Sequence, residues 1–193
     1  MKTTILEAAE KVLLANGLAK TTTKEIARAA GCSEGSLYNH FKNKEDIYLQ
    51  VLRGQLKSLM GALTRLHSLT GKDTVRQNLE TVVLAALHDY FDSMSLICSI
   101  FSEPDILHRH REGFTSRNEG PHRANEAVAA YIRKEQQLGR IRQDADPRAA
   151  ADTLLGSCFQ HAFQLNFLGQ EASDEERLAY AERLLDLLSL EQA

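Results

Sequence analysis

Polar side chains of several kinds crowd one short stretch of the chain, SEGSLYNHFKNK at residues 33–44. An asparagine such as Asn39 can hydrogen-bond an adenine at two atoms, and a lysine such as Lys44 pairs with phosphates. The stretch combines hydroxyl, amide, imidazole and ammonium groups, all of which serve in hydrogen bonding and charge pairing. These residue types therefore point to recognition of a nucleic acid.

A capping pattern marks the first of the elements that must position these side chains. Thr22 and Glu25 have the spacing of a capping box, so the first helix is predicted to begin at Thr23. Gly31 lies where that helix must end, because glycine adopts a left-handed backbone without steric cost. Ser33 then supplies a hydroxyl that caps the start of a second helix.

The second helix is predicted to have one apolar and one polar side. Leu37 and Phe41 are four residues apart and would pack the helix on its neighbour. Two short helices joined by a tight turn form a helix-turn-helix, whose second helix enters the major groove of DNA. The residues on the polar side are mostly Ser36, Tyr38, Asn39 and His40.

One further helix completes this predicted three-helix head, and another begins where the head ends. Residues 4–17 carry apolar side chains at intervals of three and four, with a capping pattern that starts at Thr4. Asn43 and Asp46 form another capping pattern, so a helix is predicted to begin at Lys44.

The stretch GLAKTTTKEIARAAGCSEGSLYNHFKNKEDIYLQV resembles the N-terminal domain of the TetR family of bacterial transcriptional repressors. The resemblance covers residues 1–50, and the rest of the chain matches the family in length and helical character. Leu18 stands where the family has an aromatic residue, Cys32 where it has an aliphatic one, and Ile47 where it has leucine. The residues that carry the match are Gly17, Thr21, Thr22, Ile26, Ala27, Ala30, Gly31, Ser33, Gly35, Leu37, Tyr38, His40, Phe41, Lys44 and Glu45.

The resemblance implies which residues contact DNA. Tyr38, His40 and Lys44 occupy positions that would meet phosphates, whereas Ser36 and Asn39 are placed for base edges. The full predicted DNA-binding set is Thr23, Ser33, Glu34, Gly35, Ser36, Tyr38, Asn39, His40 and Lys44.

Two residues near the start of the second helix have two interpretations each. Glu34 either complements the positive end of the helix dipole or accepts a hydrogen bond from a cytosine amine. Cys32 is either a thiol made reactive by the same dipole or a small apolar residue that fills the turn.

Charge is distributed unevenly along the chain, whose formal net charge is −3. Residues 1–53 hold eight Lys and Arg against six Asp and Glu, which gives +2, and the remainder holds fifteen against twenty, which gives −5. A protein of this kind is expected to bind DNA through a local basic patch.

Several classes of protein are excluded by the sequence. No apolar run reaches about 18 residues, so no membrane span is predicted. The start of the chain does not read as a signal peptide, and the three cysteines have no regular spacing, which together predict a cytoplasmic protein.

Enzyme and metal chemistry are not predicted either. The chain has no glycine-rich phosphate loop, no Ser, His, Asp order and no His-x-x-Glu-type motif. His108 and His110 are two residues apart, whereas metal ligands on a helix are three or four apart. We therefore expect no catalytic residues, no bound metal and no cofactor.

The remainder of the chain predicts helices only, so the fold class is all-α. A three-helix head at residues 1–47 forms the DNA-binding domain, and residues 48–193 form a helical domain for effector binding and dimerisation. The predicted elements of the body are helices at about 44–67, 73–91 and 93–102, a loop or broken helix at 103–120, and helices at about 121–138, 147–168 and 174–190.

The last two helices are apolar on more than one side. Such a helix must be buried on two sides, one against its own core and the other against a partner, although a central helix in a monomer is the alternative. The TetR resemblance implies a homodimer in which each subunit contributes two C-terminal helices to a four-helix bundle. The predicted interface residues are Leu155, Phe159, Leu184 and Leu188.

Aromatic, sulfur and polar side chains mix in the middle of the chain, as they do in ligand pockets. Ordinary core packing is the alternative explanation for each of them. The predicted function is a dimeric repressor that binds a pseudo-palindromic operator in double-stranded DNA and that a small-molecule effector releases, with a regulator lacking any effector as the alternative. The predicted pocket residues are His88, Phe91, Met94, Cys98, Phe101 and His161.

Overall fold

The structure, a computed structural model, describes residues 1–18, 20–117 and 120–190. Within these residues the secondary structure is helical throughout and contains no strand, which confirms the predicted all-α fold. No helix of the described part is long and apolar enough to cross a membrane. The helices are α1 (Lys2–Asn16), α2 (Thr23–Ala29), α3 (Glu34–Tyr38), α4 (Lys44–Gln55), α5 (Lys57–Leu66), α6 (Val75–Ser102), α7 (Pro104–Arg117), α8 (His122–Gln137), α9 (Pro147–Leu168) and α10 (Asp174–Leu188).

The chain forms two compact units, and each unit is assembled from two separate stretches. Unit 1 comprises Met1–Gln55 and Ser93–Asn118, and unit 2 comprises Leu56–Asp92 and Glu119–Ala193. The predicted domain boundary after residue 47 divides the chain by function, into a DNA-binding part and an effector-binding and dimerisation part, and it stays a prediction.

Unit 1 is built around the helices that carry the helix-turn-helix. Helix α1 packs against α2 and α4, α2 packs against α3, and α4 packs against α7. The core side chains come from each of the first four helices, because Ile5, Ile26, Leu37 and Ile47 are fully buried. The short helices α2 and α3 are therefore held by tertiary burial, since helices of this length are unstable alone.

A buried tyrosine ties α4 to the segment that precedes α2. The hydroxyl of Tyr48 donates a hydrogen bond of 3.0 Å to the carbonyl oxygen of Thr21. The hydroxyl of Thr21 in turn donates to the carbonyl oxygen of Gly17 at 2.7 Å. Burial, together with nearby carboxylates, raises the pKa of Tyr48, so the phenol remains protonated and keeps donating.

Unit 2 has a single large apolar core. Helix α8 packs against α5 and α9, and α10 packs against α9. Val83, Ile132 and Leu154, from α6, α8 and α9, are all fully buried in this core. A buried carboxyl group joins α8 to the loop before α6, because Glu135 accepts a hydrogen bond from the N–H of Gly71 at 2.9 Å.

Most of the predicted helix starts are confirmed by their caps. Side chains of Thr22, Ser33, Asn43 and Ser173 each accept a backbone hydrogen bond at the start of a helix. Asp146 does the same before Pro147. These caps form because a short polar side chain reaches N–H groups that have no partner within the helix.

The cap predicted at Thr4 is wrong. Helix α1 begins at Lys2, with Met1 as its capping residue and no side-chain cap. The N–H of Ile5 donates to the carbonyl oxygen of Met1 at 3.0 Å, so the backbone is already helical when it reaches Thr4.

The single helix predicted from 44 to about 67 is also wrong, because the chain breaks it at Leu56. Helix α4 ends at Gln55 and α5 begins at Lys57. Near the start of α5, the N–H of Leu59 donates to the Asp89 carboxyl group at 2.8 Å. The partner that stabilises this second helix start lies far away in sequence, so no local pattern marks it.

Two other boundaries differ from the prediction. The helices expected at 73–91 and 93–102 form one continuous helix, α6, because no glycine or proline interrupts Val75–Ser102. The loop or broken helix expected at 103–120 contains helix α7. Pro104 begins that helix instead of preventing it, since proline has no N–H to lose at a first helical position.

Candidate DNA-binding site

The start of α2 is closed by a reciprocal pair of hydrogen bonds. The N–H of Glu25 donates to the Thr22 hydroxyl oxygen at 3.2 Å, and the N–H of Thr22 donates to the Glu25 carboxylate at 2.9 Å. The backbone hydrogen bond from Thr22 holds the pKa of Glu25 below its usual range. The carboxylate therefore stays ionised at the positive end of α2.

A left-handed glycine makes the turn between α2 and α3. Gly31 has φ 66°, a conformation that favours glycine because it has no Cβ. The next residue, Cys32, donates its N–H to the carbonyl oxygen of Ala27 at 2.9 Å, which ends α2. The hydroxyl oxygen of Ser33 then accepts from the N–H of Ser36 at 3.1 Å and begins α3.

Helix α3 has the two-sided character that the sequence predicts. Leu37 is 0% exposed and Phe41, just beyond the helix, is 2% exposed. Tyr38, between them, is 49% exposed. All nine residues of the predicted DNA-binding set lie between the start of α2 and the start of α4, and all are exposed or half-buried.

One contact within this set was not predicted from the sequence. The hydroxyl of Thr23 donates a hydrogen bond of 2.8 Å to the carboxylate of Glu34. This bond joins the first residue of α2 to the first residue of α3. It gives Glu34 a structural partner in addition to its two predicted roles, and only the folded turn brings these residues together.

Two lysines lie over aromatic rings near α3. The Lys44 ammonium is 5.3 Å from the centre of the Tyr48 ring. The Lys2 ammonium is 5.6 Å from the centre of the Phe41 ring, which adds a cation beside the end of α3. The sequence does not predict this position for Lys2, because Lys2 is far from the motif and its sequence context shows only a positive charge.

The six predicted pocket residues are divided between the two units. Met94, Cys98 and Phe101 belong to unit 1, where Met94 is buried and the other two are exposed. His88, Phe91 and His161 belong to unit 2. There, the imidazole of His88 is exposed and lies 3.6 Å from the Asp92 carboxylate, and Phe91 is half-buried.

His161 has a specific aromatic partner in unit 2. Its imidazole stacks on the Tyr180 ring with 4.1 Å between ring centres and 17° between planes. Partial burial, followed by the positive charge of Arg183, lowers the pKa of His161. The Tyr180 hydroxyl donates to the carbonyl oxygen of Ser157 at 3.0 Å, which fixes α10 against α9.

The four predicted interface residues have different environments. Leu155 and Leu184 are 2% and 6% exposed and lie in the core of unit 2. Leu188 is half-buried, and Phe159 is 38% exposed. Further exposed apolar side chains on α9 and α10 are Phe163, Phe167, Leu168, Leu178 and Leu187.

Within the described residues, no group of three or more His, Cys, Asp or Glu side chains is arranged to hold a metal ion. One groove in unit 2 is lined by Val75, Arg76, Leu79, Leu185, Ser189 and Leu190. None of the predicted pocket residues belongs to its lining.

Two family models match the chain. One, described as bacterial regulatory proteins of the tetR family, matches residues 5–51. The other, described as the C-terminal domain of AefR-like transcriptional repressors, matches residues 113–189. Together they cover more than half of the chain, including the helix-turn-helix and helices α8 to α10.

Individual proteins of similar sequence or structure are also regulators. The HTH-type transcriptional repressor KstR2 of Rhodococcus jostii is 33% identical over 102 residues, which make up 53% of this chain and 48% of that protein. The chain thus spans about half the length of this curated relative.

Among solved structures, the regulator FadR from Bacillus subtilis in complex with stearoyl-CoA matches with a TM-score of 0.72 at 20% identity over 98% of both chains. The ketosteroid regulator KstR2 of Mycobacterium tuberculosis matches with a TM-score of 0.65 at 18% identity, over 100% of this chain and 95% of that chain. At such identities the similarity concerns the fold.

Proposed function

The chain belongs to the TetR family of bacterial transcriptional regulators, and we propose that it is a dimeric repressor released from its operator by a small-molecule effector. As a member of this family it is a DNA-binding regulator and not an enzyme. The proposal extends to the operator symmetry, the dimer face, the kind of effector and action in the cytoplasm.

The observation that carries the proposal is the environment of α3. The apolar side chains of Leu37 and Phe41 are buried, while Tyr38, Asn39 and His40 are exposed. A helix held from one side in this way is free to place its other side in the major groove.

We assign two kinds of DNA contact to these side chains. Tyr38, His40 and Lys44 contact phosphates and fix the position of the protein on the duplex. Ser36 and Asn39 contact base edges and supply the sequence preference. Lys44 lies over the Tyr48 ring, which is buried, so its stem is held while the ammonium group faces a phosphate.

Exposed apolar side chains on α9 and α10 support the dimer. Phe163 is 48% exposed, Phe167 80% and Leu187 78%. Exposed apolar surface commonly marks a protein interface, and we place the dimer face on these three residues and Phe159. A two-fold dimer reads a pseudo-palindrome whose half-sites lie one helical turn of about 34–36 Å, or a multiple of it, apart.

The effector is proposed to be a small molecule with a large apolar part. The FadR structure holds stearoyl-CoA, and KstR2 is named as a ketosteroid regulator. In this chain, α6 is one helix with residues in both units, and it carries five of the six predicted pocket residues. A ligand that shifts α6 would therefore displace residues of both units. A coupling free energy of about 1–3 kcal/mol between effector binding and DNA binding suffices for a clear response.

The proposal is tested by selecting duplexes from a random DNA library and then titrating effectors. Thermal unfolding is followed with stearoyl-CoA as the first probe and a steroid panel as the second, because a ligand of the folded state raises its stability. An effector must both raise the unfolding temperature and weaken binding to the selected duplex.

Three other outcomes are informative. Ligands that stabilise the protein but leave duplex affinity unchanged contradict induction. Failure of every probe to bind supports the alternative of a regulator without an effector. Failure to enrich any duplex with two-fold symmetry contradicts the dimeric operator-binding function itself.

A further inference from the structure

A buried carboxyl group of α6 holds the start of α5. Asp89 is 2% exposed, and its Oδ2 accepts a hydrogen bond of 2.8 Å from the N–H of Leu59. The first N–H groups of a helix have no partner inside the helix, and Leu56, which precedes α5, provides no side-chain cap. Asp89 therefore supplies from another helix the cap that the local sequence of α5 lacks.

This contact lies close in sequence to two of the points at which the chain passes between the units. The first stretch of unit 1 ends at Gln55 and its second stretch begins at Ser93. Leu59 follows the first point by four residues, and Asp89 precedes the second by four. One hydrogen bond inside unit 2 thus joins the segments next to these two connections to the unit that contains the helix-turn-helix.

The next two residues of α6 attach it to α9. The ring of Tyr90 meets that of Phe159 edge-on, with 5.6 Å between centres and 78° between planes. The carbonyl oxygen of Phe91 accepts a hydrogen bond of 3.1 Å from the side-chain amide of Asn166. The segment that caps α5 is therefore also held by the helix that carries most of the proposed dimer face.

We propose that Asp89 is a positioning residue for operator recognition, and that its bond to Leu59 sets which half-site spacing the dimer accepts. The inference rests on the proposed dimeric operator binding. Only one separation of the two recognition helices fits both major grooves. Without the bond between Asp89 and Leu59, the segments next to these connections would be less constrained. The dimer would then tolerate half-sites at more than one spacing.

The test uses variants at Asp89 and a matched control in the same helix. Asp89→Ala removes the acceptor, whereas Asp89→Asn keeps an oxygen that can accept from Leu59. Asn78→Ala is the control, because Asn78 is also buried in α6 and donates to the Tyr131 hydroxyl at 2.9 Å. It lies eleven residues before Asp89, or about 16 Å along the helix.

Affinity is measured for the selected operator, for the same operator with its spacer changed by one base pair, and for a single half-site. All variants are compared at a temperature at which circular dichroism shows them folded. Wild type should bind the altered spacers about tenfold or more weakly, on the order of a misplaced base contact. Asp89→Ala should reduce this ratio to about twofold with unchanged half-site affinity, because the grooves are still read by intact heads.

Asp89→Asn and Asn78→Ala should keep the wild-type spacing ratio, although Asn78→Ala lowers the unfolding temperature. A wild-type ratio in Asp89→Ala overturns the inference, and so does an equal loss of the ratio in Asn78→Ala. Asp89→Ser, whose side chain is too short to reach Leu59, carries the same expectation should Asp89→Ala not fold. If wild type binds no symmetric duplex, the proposed function fails and the positioning role fails with it.

Discussion

Neighbouring residues of α3 have opposite environments, which allows DNA binding to be tested apart from folding. Leu37 is 0% exposed and Tyr38 is 49% exposed. Tyr38→Ala should weaken binding to all DNA sequences by about 1–3 kcal/mol, the range for one good contact. Its unfolding temperature should match wild type, because surface changes away from special features have small effects. Fluorescence anisotropy and circular dichroism provide the two measurements.

Leu37→Ala is the matched control for that experiment. Removing a fully buried leucine should lower the free energy of unfolding by about 2–5 kcal/mol. An affinity of Tyr38→Ala equal to that of wild type would remove Tyr38 from the DNA-binding set.

The stacked histidine of unit 2 leads to a prediction about pH. Burial and Arg183 lower the pKa of His161 in the folded protein, whereas the unfolded chain has an ordinary value of about 6.5. As the pH falls below that value, the unfolded state binds protons more readily, so the free energy of unfolding decreases. Replacing His161 by Gln should flatten this decrease between about pH 7 and pH 5, as measured by urea denaturation. A slope equal to that of wild type would contradict the assignment.

At the scale of elements, two threonines with the same sequence pattern have different structures. Thr22 caps α2, but Thr4 lies inside α1. Thr22→Ala should therefore lower the free energy of unfolding by about 1 kcal/mol, the usual value of an N-cap. Thr4→Ala should leave it unchanged or raise it by up to about 0.7 kcal/mol, since alanine is the better helix former. Chemical denaturation of both variants makes the comparison, and equal losses would contradict it.

Local chemistry explains which helices could be predicted from the sequence. Ser33 and Ser173 cap helices from adjacent positions, and Gly31 ends α2 with its own backbone, so a few residues carry each signal. The sequence around Gly31 and Ser33 also predicts the exposed polar side of α3.

Long-range contacts explain what could not be predicted. The start of α5 depends on Asp89, thirty residues away in sequence from Leu59. Periodicity likewise shows that α9 and α10 are apolar on two sides but not which side faces the core. Leu155 and Leu184 are buried within the protomer, and only the packed structure distinguishes them from the exposed Phe163 and Leu187.

For the whole molecule, the difference between buried and exposed apolar residues of α9 and α10 allows dimer assembly to be tested separately from folding. Glutamate at both Phe163 and Leu187, which are 48% and 78% exposed, should give folded monomers with weaker operator binding. Glutamate at Leu184, which is 6% exposed, should unfold unit 2, because a charge would be buried without a partner. Analytical ultracentrifugation and circular dichroism separate these results. A stable dimer of the double variant would place the interface elsewhere.

Unit 1 is completed by a segment that is synthesised late. Helix α7 packs against α4, yet it follows the whole first stretch of unit 2 along the chain. A ribosome adds about 5–20 residues per second, so several seconds separate the emergence of α4 from that of α7. During translation α4 is therefore made well before the helix that packs against it. Until the first stretch of unit 2 and then α7 have been synthesised, a nascent chain must leave exposed the part of α4 that α7 covers.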